Sequence, residues 1–318
     1  MPLSLIRFNL IDPSLDSETL SARYKAMLEM AEFADENGFF MATFEEHHGA
    51  ENAWSPTPLI NAATVLARTT NLSASISALL LPLHDPIRVA EDIAVIDLMS
   101  GGRLTVILGL GYRPSEYHLM GKDWSQRGKI MDESLQILLD AWKGEPFEYR
   151  GQIHQITPSP ITKPHPFIMI GGTSKVAARR AAKFGLPLSP AAHLPELEAY
   201  YHEQCELYGT QGFCAMPDQE TKMTFVAEDP DKAWAELGQY FFNEASMYAS
   251  WQTSDISSAV HSHASNPEEL RSEGIYQVIT PDEASQLDRV VHHPLCGGMP
   301  VESAWESLQL YADAIKEE

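Results

Sequence analysis

The 318 residues suit one large domain or two small ones, and a chain of this length buries roughly three quarters of its unfolded surface without a disulfide or metal staple. A formal net charge of −22 disfavours nucleic acid and acidic lipid as partners. The three cysteines, Cys205, Cys214 and Cys296, make no disulfide framework and point to a reducing compartment, so a cytoplasmic location is expected.

The opening MPLSLIRFNL lacks a basic leader and reads as a strand over residues 3–11, not a signal peptide. No apolar stretch approaches the ~18 residues of a membrane span. Residues 16–37 carry Leu20, Tyr24, Met27, Met30, Ala31 and Ala34 at helical spacing. A strand is expected over 39–44, then a helix from Pro56 to about residue 68. Strand and helix then alternate: strand 72–81, helix 86–99, strand 103–108, helix 125–142, strand 167–170, helix 174–184, strand 186–189, helix 194–208, strand 223–227, helix 231–245. A hairpin around Arg150-Gly151 is expected within 147–156. Strand 287–292 and helix 301–315 close the series.

Repeated strand–helix units imply a parallel sheet with helices outside. The predicted fold is α/β, a (β/α)8 TIM barrel with inserted segments, spanning residues 1–318 as a single domain. A doubly wound open sheet is the alternative. Residues 246–274 are rich in Ser, His and Asn without a period, and read either as a lid over the barrel mouth or as a solvated connection.

Barrel active sites gather where strands end and loops begin. One strand ends in Glu45-Glu46-His47-His48, which can shuttle protons or form a hydrogen-bonded polar turn; its spacing matches no zinc motif, and no metal is expected. The next ends near Ser77 and Ala78, small enough to let a flat ligand lie on the backbone or a helix pack closely. Gly109 and Gly111 leave space open above the following strand; no third glycine completes a dinucleotide loop, and Pro114 speaks against a helix start there. Glu116 lies near that space or in solvent. Gly171-Gly172-Thr173-Ser174 leads into a helix with Lys175, Arg179, Arg180 and Lys183, which favours phosphate over a simple cap. His202 and Cys205 share a helix face, His261 and His263 are expected in solvent, and Cys296 reads as a small buried residue without a paired base.

The segments AEFADENGFFMATFEEHH, RTTNLSASISALLLPLHDPIRVAEDIAVIDLMSGGRLTVILGLG, IGGTSKVAARRAAKFGLP and HHPLCGGMP together resemble the bacterial-luciferase-like flavin-dependent monooxygenase family. The resemblance implies a (β/α)8 barrel holding reduced FMN, or a deazaflavin in some branches. It implies that His47, beside Glu46, is an acid/base group. It places a cis peptide at Ser77–Ala78 behind the flavin ring, Glu116 at the ring's pyrimidine edge, and the phosphate at Thr173 and Ser174 with Arg127 as its cation. Leu110 stands where luciferases carry an arginine, so the phosphate is held differently.

The expected activity is that of a two-component monooxygenase. It takes reduced FMN from a separate flavin reductase and uses dioxygen to oxidise a small organic substrate such as an aldehyde. A deazaflavin-dependent dehydrogenase and a non-catalytic flavin-binding protein are the alternatives. A homodimer is expected, since barrels of this kind often pair.

Overall fold

The computed structural model describes residues 2–219, 222–251 and 260–316. In chain order it contains β1 (Leu3–Phe8), α1 (Ser17–Glu36), β2 (Met41–Phe44), α2 (Pro58–Arg68), β3 (Ser73–Leu80), α3 (Pro86–Ser100) and β4 (Leu104–Gly109). There follow α4 (Pro114–Leu119), α5 (Arg127–Trp142), β5 (Phe147–Tyr149), β6 (Gln152–His154), β7 (Phe167–Gly171), α6 (Lys175–Phe184), β8 (Leu188–Ser189) and α7 (Pro195–Tyr208). The last third holds β9 (Met223–Val226), α8 (Pro230–Trp251), α9 (Pro267–Glu273), β10 (Tyr276–Ile279), α10 (Pro281–Ser285), β11 (Arg289–His292) and α11 (Val301–Ala314). No helix among the described residues is long and apolar enough to cross a membrane.

The chain forms two compact units, one of Met1–Pro56, Arg68–Ser73 and Asp218–Glu318, the other of Thr57–Ala67 and Ala74–Pro217. In the first, parallel strands run in the order β10-β9-β11-β1-β2. Ile6 of β1 pairs with Ala42 on one side and His292 on the other. From Ser4 to Phe8 every residue of β1 is buried, as a parallel strand covered on both faces requires. Ile6, Phe8 and Phe44 form this core with Met27 and Met30 of α1. Each such side chain contributes about 1.5–3 kcal/mol by leaving water.

In the second unit β3, β4, β7 and β8 are parallel neighbours. Ile76, Val106, Leu108, Ile168 and Ile170 are its buried strand residues. The hairpin β5–β6 turns at Arg150 and Gly151 with φ of 51° and 76°, as that dipeptide predicts.

Several boundaries differ from the sequence expectation. Pro58, not Pro56, opens α2. Pro114 starts α4 instead of preventing it, because proline in the first turn loses no hydrogen bond. β10 and α10 lie where no regular element was expected. Residues 246–251 continue α8 and α9 occupies Pro267–Glu273, so much of the segment read as aperiodic is helical. The lid reading of residues 246–274 falls partly on 252–259, which lie outside the described residues.

Candidate active site

In the first unit β2 ends at Phe44, and Glu45 to His48 emerge from its C-terminal end. Glu46, His47 and His48 are all buried. Glu46 Oε1 stands 2.8 Å from His48 Nε2. The backbone N–H of His47 donates to the Ser55 carbonyl at 3.2 Å, folding the loop back toward the strand exit. The His47 ring lies edge-on to Trp54, centroids 5.1 Å apart, and 4.8 Å from the Trp251 ring of α8. Trp54 and Trp251 are themselves 5.2 Å apart, with Tyr248 6.0 Å from Trp54. The imidazole therefore sits in an aromatic wall that limits water around it.

Beneath this loop lies a buried polar hub that sequence reasoning did not find. Arg7 and Asn9 are two residues apart and so share one face of the β1 extension. Glu244 of α8 accepts from Arg7 Nη1 at 2.8 Å and Tyr276 OH at 3.0 Å on Oε1. On Oε2 it accepts from Asn9 Nδ2 at 2.7 Å and Cys296 Sγ at 3.1 Å, with His293 Nε2 also at 2.7 Å. His293 Nδ1 faces the Arg7 carbonyl oxygen at 3.0 Å. Two acceptors, a carbonyl oxygen and a carboxylate oxygen, thus face the two ring nitrogens of His293. Arg7 Nε reaches on to Glu45 Oε1 at 2.5 Å.

Burial alone would raise the Glu244 carboxyl, but the charges of His293 and Arg7 and the hydrogen bonds of His293 and Asn9 hold it well below the usual range. Burial, and then Glu244, push the Cys296 thiol well up. Cys296 is thus buried as expected, yet it has a carboxylate partner, which leaves it a poor nucleophile. Glu244, His293 and Cys296 bring ligand-type atoms within 4.8 Å of one another. The Arg7 guanidinium on the same carboxylate opposes a further cation there.

In the second unit the β3 and β4 exits lie side by side, with Leu80 paired to Gly109. The Ser77–Ala78 peptide is cis. A Cβ on Gly109 would stand 2.8 Å from the Ala78 Cβ, so only glycine permits this approach. Gly111 follows, and Tyr117 donates from its hydroxyl to the Leu110 carbonyl. Glu116 is buried, with Oε1 2.9 Å from Arg113 Nη1, so it is not the solvated glutamate of the alternative reading.

At the β7 exit Gly171, Gly172 and Thr173 lead to Ser174, whose hydroxyl caps α6 by accepting from the Ala177 N–H at 3.2 Å. Gly172 has φ of 134°, and a Cβ there would meet Ala177 Cβ at 3.0 Å. The N–H groups of Lys175 and Val176 lie at the open end of the helix, where helix geometry supplies no acceptor. Small residues, a hydroxyl and open N–H groups fit a phosphate. Arg180 is buried and bonded to Asp132, and its Nη2 reaches the Gly128 carbonyl at 3.4 Å. It ties α6 to the first turn of α5, the turn that carries Arg127. The Arg127 guanidinium lies 4.0 Å over the Trp124 ring and is partly exposed.

Elsewhere, exposed His202 stands 3.9 Å from Glu198, while Cys205 is buried. His263 is exposed and His261 half-buried, their rings 4.5 Å apart.

Residues 1–290 match the model of the luciferase-like monooxygenase family. The oxygenase component of flavin-dependent trigonelline monooxygenase from Acinetobacter baylyi is 25% identical over 206 residues, 61% of this chain and 57% of that protein. The chain spans about half the length of the first curated relatives it matches. The oxygenating constituent of 3,6-diketocamphane monooxygenase from Pseudomonas putida, solved in complex with FMN, shares the fold at TM-score 0.70 and 19% identity, covering 100% of this chain and 98% of that one. An F420-dependent secondary alcohol dehydrogenase shares it at TM-score 0.64 and 16% identity, with 99% of each chain covered. These likenesses establish the α/β-barrel fold class expected from the sequence. With the pattern matched over most of its length, this chain belongs to the luciferase-like monooxygenase family.

Proposed function

We propose that this chain is the oxygenase of a two-component, flavin-dependent monooxygenase in the reducing cytoplasm. It uses reduced FMN from a partner reductase and dioxygen to oxidise a small organic substrate such as an aldehyde. The observation that carries this reading is the close approach of Ala78 and Gly109 at the β3 and β4 exits, where small residues beside an exposed Ser77 leave room for a flat three-ring cofactor. The family relation and an FMN-bound structural neighbour support it.

When bound, reduced FMN supplies the electrons that activate dioxygen. The chain's own residues do the rest. Ser77, Ala78, Gly109 and Gly111 seat the ring, and Glu116, neutralised by Arg113, borders that space. Gly171, Gly172, Thr173, Ser174 and the first N–H groups of α6 hold the phosphate, with Arg127 as its cation. A ring nitrogen of His47 passes a proton to or from the substrate oxygen, with Glu46 beside it. Trp54 and Trp251 limit water at that imidazole.

Anaerobic titration with reduced FMN and, separately, a reduced deazaflavin tests this, followed by admission of dioxygen. Tight binding of FMN and a protein-dependent change in dioxygen uptake are expected. Binding of the deazaflavin alone, with dioxygen uptake unaltered, would assign the chain to hydride transfer, a chemistry that the F420-dependent neighbour keeps open.

A further inference from the structure

We propose that Glu244 is the positioning residue that sets where His47 stands, acting through the Arg7–Glu45 pair on one side and through the aromatic face of α8 on the other. The inference rests on the proposed acid/base role of His47 only for its functional meaning; the placement itself can be tested without it.

Glu244, Tyr248 and Trp251 are spaced i, i+4 and i+7, so they lie along one face of α8. Trp251 packs against both His47 and Trp54, and Tyr248 packs against Trp54. Helix geometry puts Trp251 about 10 Å along the axis from Glu244. A helix transmits a small slide with little loss over that length, so whatever fixes Glu244 also fixes the Trp251 ring against the imidazole. Five donors fix it, drawn from β1 and its extension, β10, and the turn after β11.

The other wall of His47 is the chain leaving β2. Glu45, two residues before His47, is held by Arg7 Nε at 2.5 Å, while Arg7 Nη1 holds Glu244 at 2.8 Å. One guanidinium therefore locks the loop that carries His47 to the helix that packs on it. The effect of Glu244 passes through Arg7 and through Tyr248 and Trp251, which share its face of α8. A carboxylate serving only the stability of the fold would give no such link to one particular imidazole.

The test uses the full-length protein with histidine labelled at Cε1, read by NMR. Two indole rings within about 5 Å displace the His47 signal by ring current, and that signal is identified by its loss in His47→Ala. In Glu244→Gln, which keeps the side-chain shape but removes the charge, the signal is expected to shift toward the unperturbed histidine position while far-ultraviolet circular dichroism is retained. Glu45→Gln, at a partly exposed side chain, is expected to shift it in the same direction by less. An unmoved His47 signal in folded Glu244→Gln overturns the proposal. Should Glu244→Gln not fold, an unmoved signal in Glu45→Gln overturns it instead. If His47→Ala leaves turnover intact, the catalytic reading of His47 falls, whereas the positioning result is read independently.

Discussion

Arg7 and Glu244 form a buried ion pair, Nη1 to Oε1 2.8 Å, between side chains that are 7% and 1% exposed. Glu45 and His293 join the pair in one polar set. Such a set is weakly stabilising as a whole, but removing one member leaves an uncompensated buried charge. Arg7→Met is therefore expected to destabilise the protein by about 3–5 kcal/mol. Urea unfolding measures this; a loss below ~1 kcal/mol would mean that the pair is solvated in solution.

His292 gives the protein a specific acid sensitivity. Its ring is fully buried between Phe225 and Tyr311, with Nε2 3.1 Å from Ser307 Oγ. Burial, and then the charge of His293, push its pKa down to about 3. Below about pH 6.5 the unfolded chain gains a proton that the folded chain refuses until about pH 3, so stability falls with falling pH across that window. The expected slope from this group is ~1.4 kcal/mol per pH unit. His292→Gln should flatten the pH dependence between pH 6 and pH 4.5 by about that amount relative to wild type. Parallel stability profiles for the two proteins would contradict it.

The phosphate assignment predicts a selective loss. Ser174→Asp places a carboxylate where the proposed anion sits, at the N-terminus of α6. FMN affinity should drop at least about tenfold, whereas riboflavin, which has no phosphate, should bind variant and wild type alike. Equal loss for both flavins would place the phosphate elsewhere.

His47 and His48 separate chemistry from support. His47→Ala is expected to lower turnover ~10²–10⁴-fold with little change in FMN affinity. His48, whose Nε2 lies 2.8 Å from Glu46 Oε1, should on mutation to alanine cost about 1–3 kcal/mol of stability and less of the rate. Turnover, flavin titration and thermal unfolding on both variants decide this. Identical turnover in wild type and His47→Ala would move the acid/base role to another group.

Local patterns made much of this legible in the sequence. The apolar strand of β1, the helical spacing of Met27 and Met30, and the Arg150-Gly151 turn each depend on near neighbours, and the structure has all three. At the Gly171–Ser174 turn the sequence favours phosphate over a simple cap, and in the structure Ser174 caps α6. The hub did not show, because Arg7 and Glu244 are 237 positions apart and each alone reads as a surface charge. Glu116 is singled out by the sequence, but its burial is not, since that depends on packing around α4. The last two turns of α8 were concealed by composition: Ser246, Asn243 and Ser250 weaken the helical signal, while Tyr248 and Trp251 keep its spacing from Glu244.

The most direct test of an oxygenase is the fate of dioxygen's own atoms. The purified protein, reduced FMN and a panel of aldehydes and ketones are mixed under 18O-labelled dioxygen, and the products are weighed by mass spectrometry. One 18O atom is expected in the oxidised product of at least one panel member, with the label absent when the protein or the flavin is omitted. Oxidised product that takes its oxygen only from water, or FMN oxidation that proceeds identically with and without the protein across the whole panel, would contradict the proposed function.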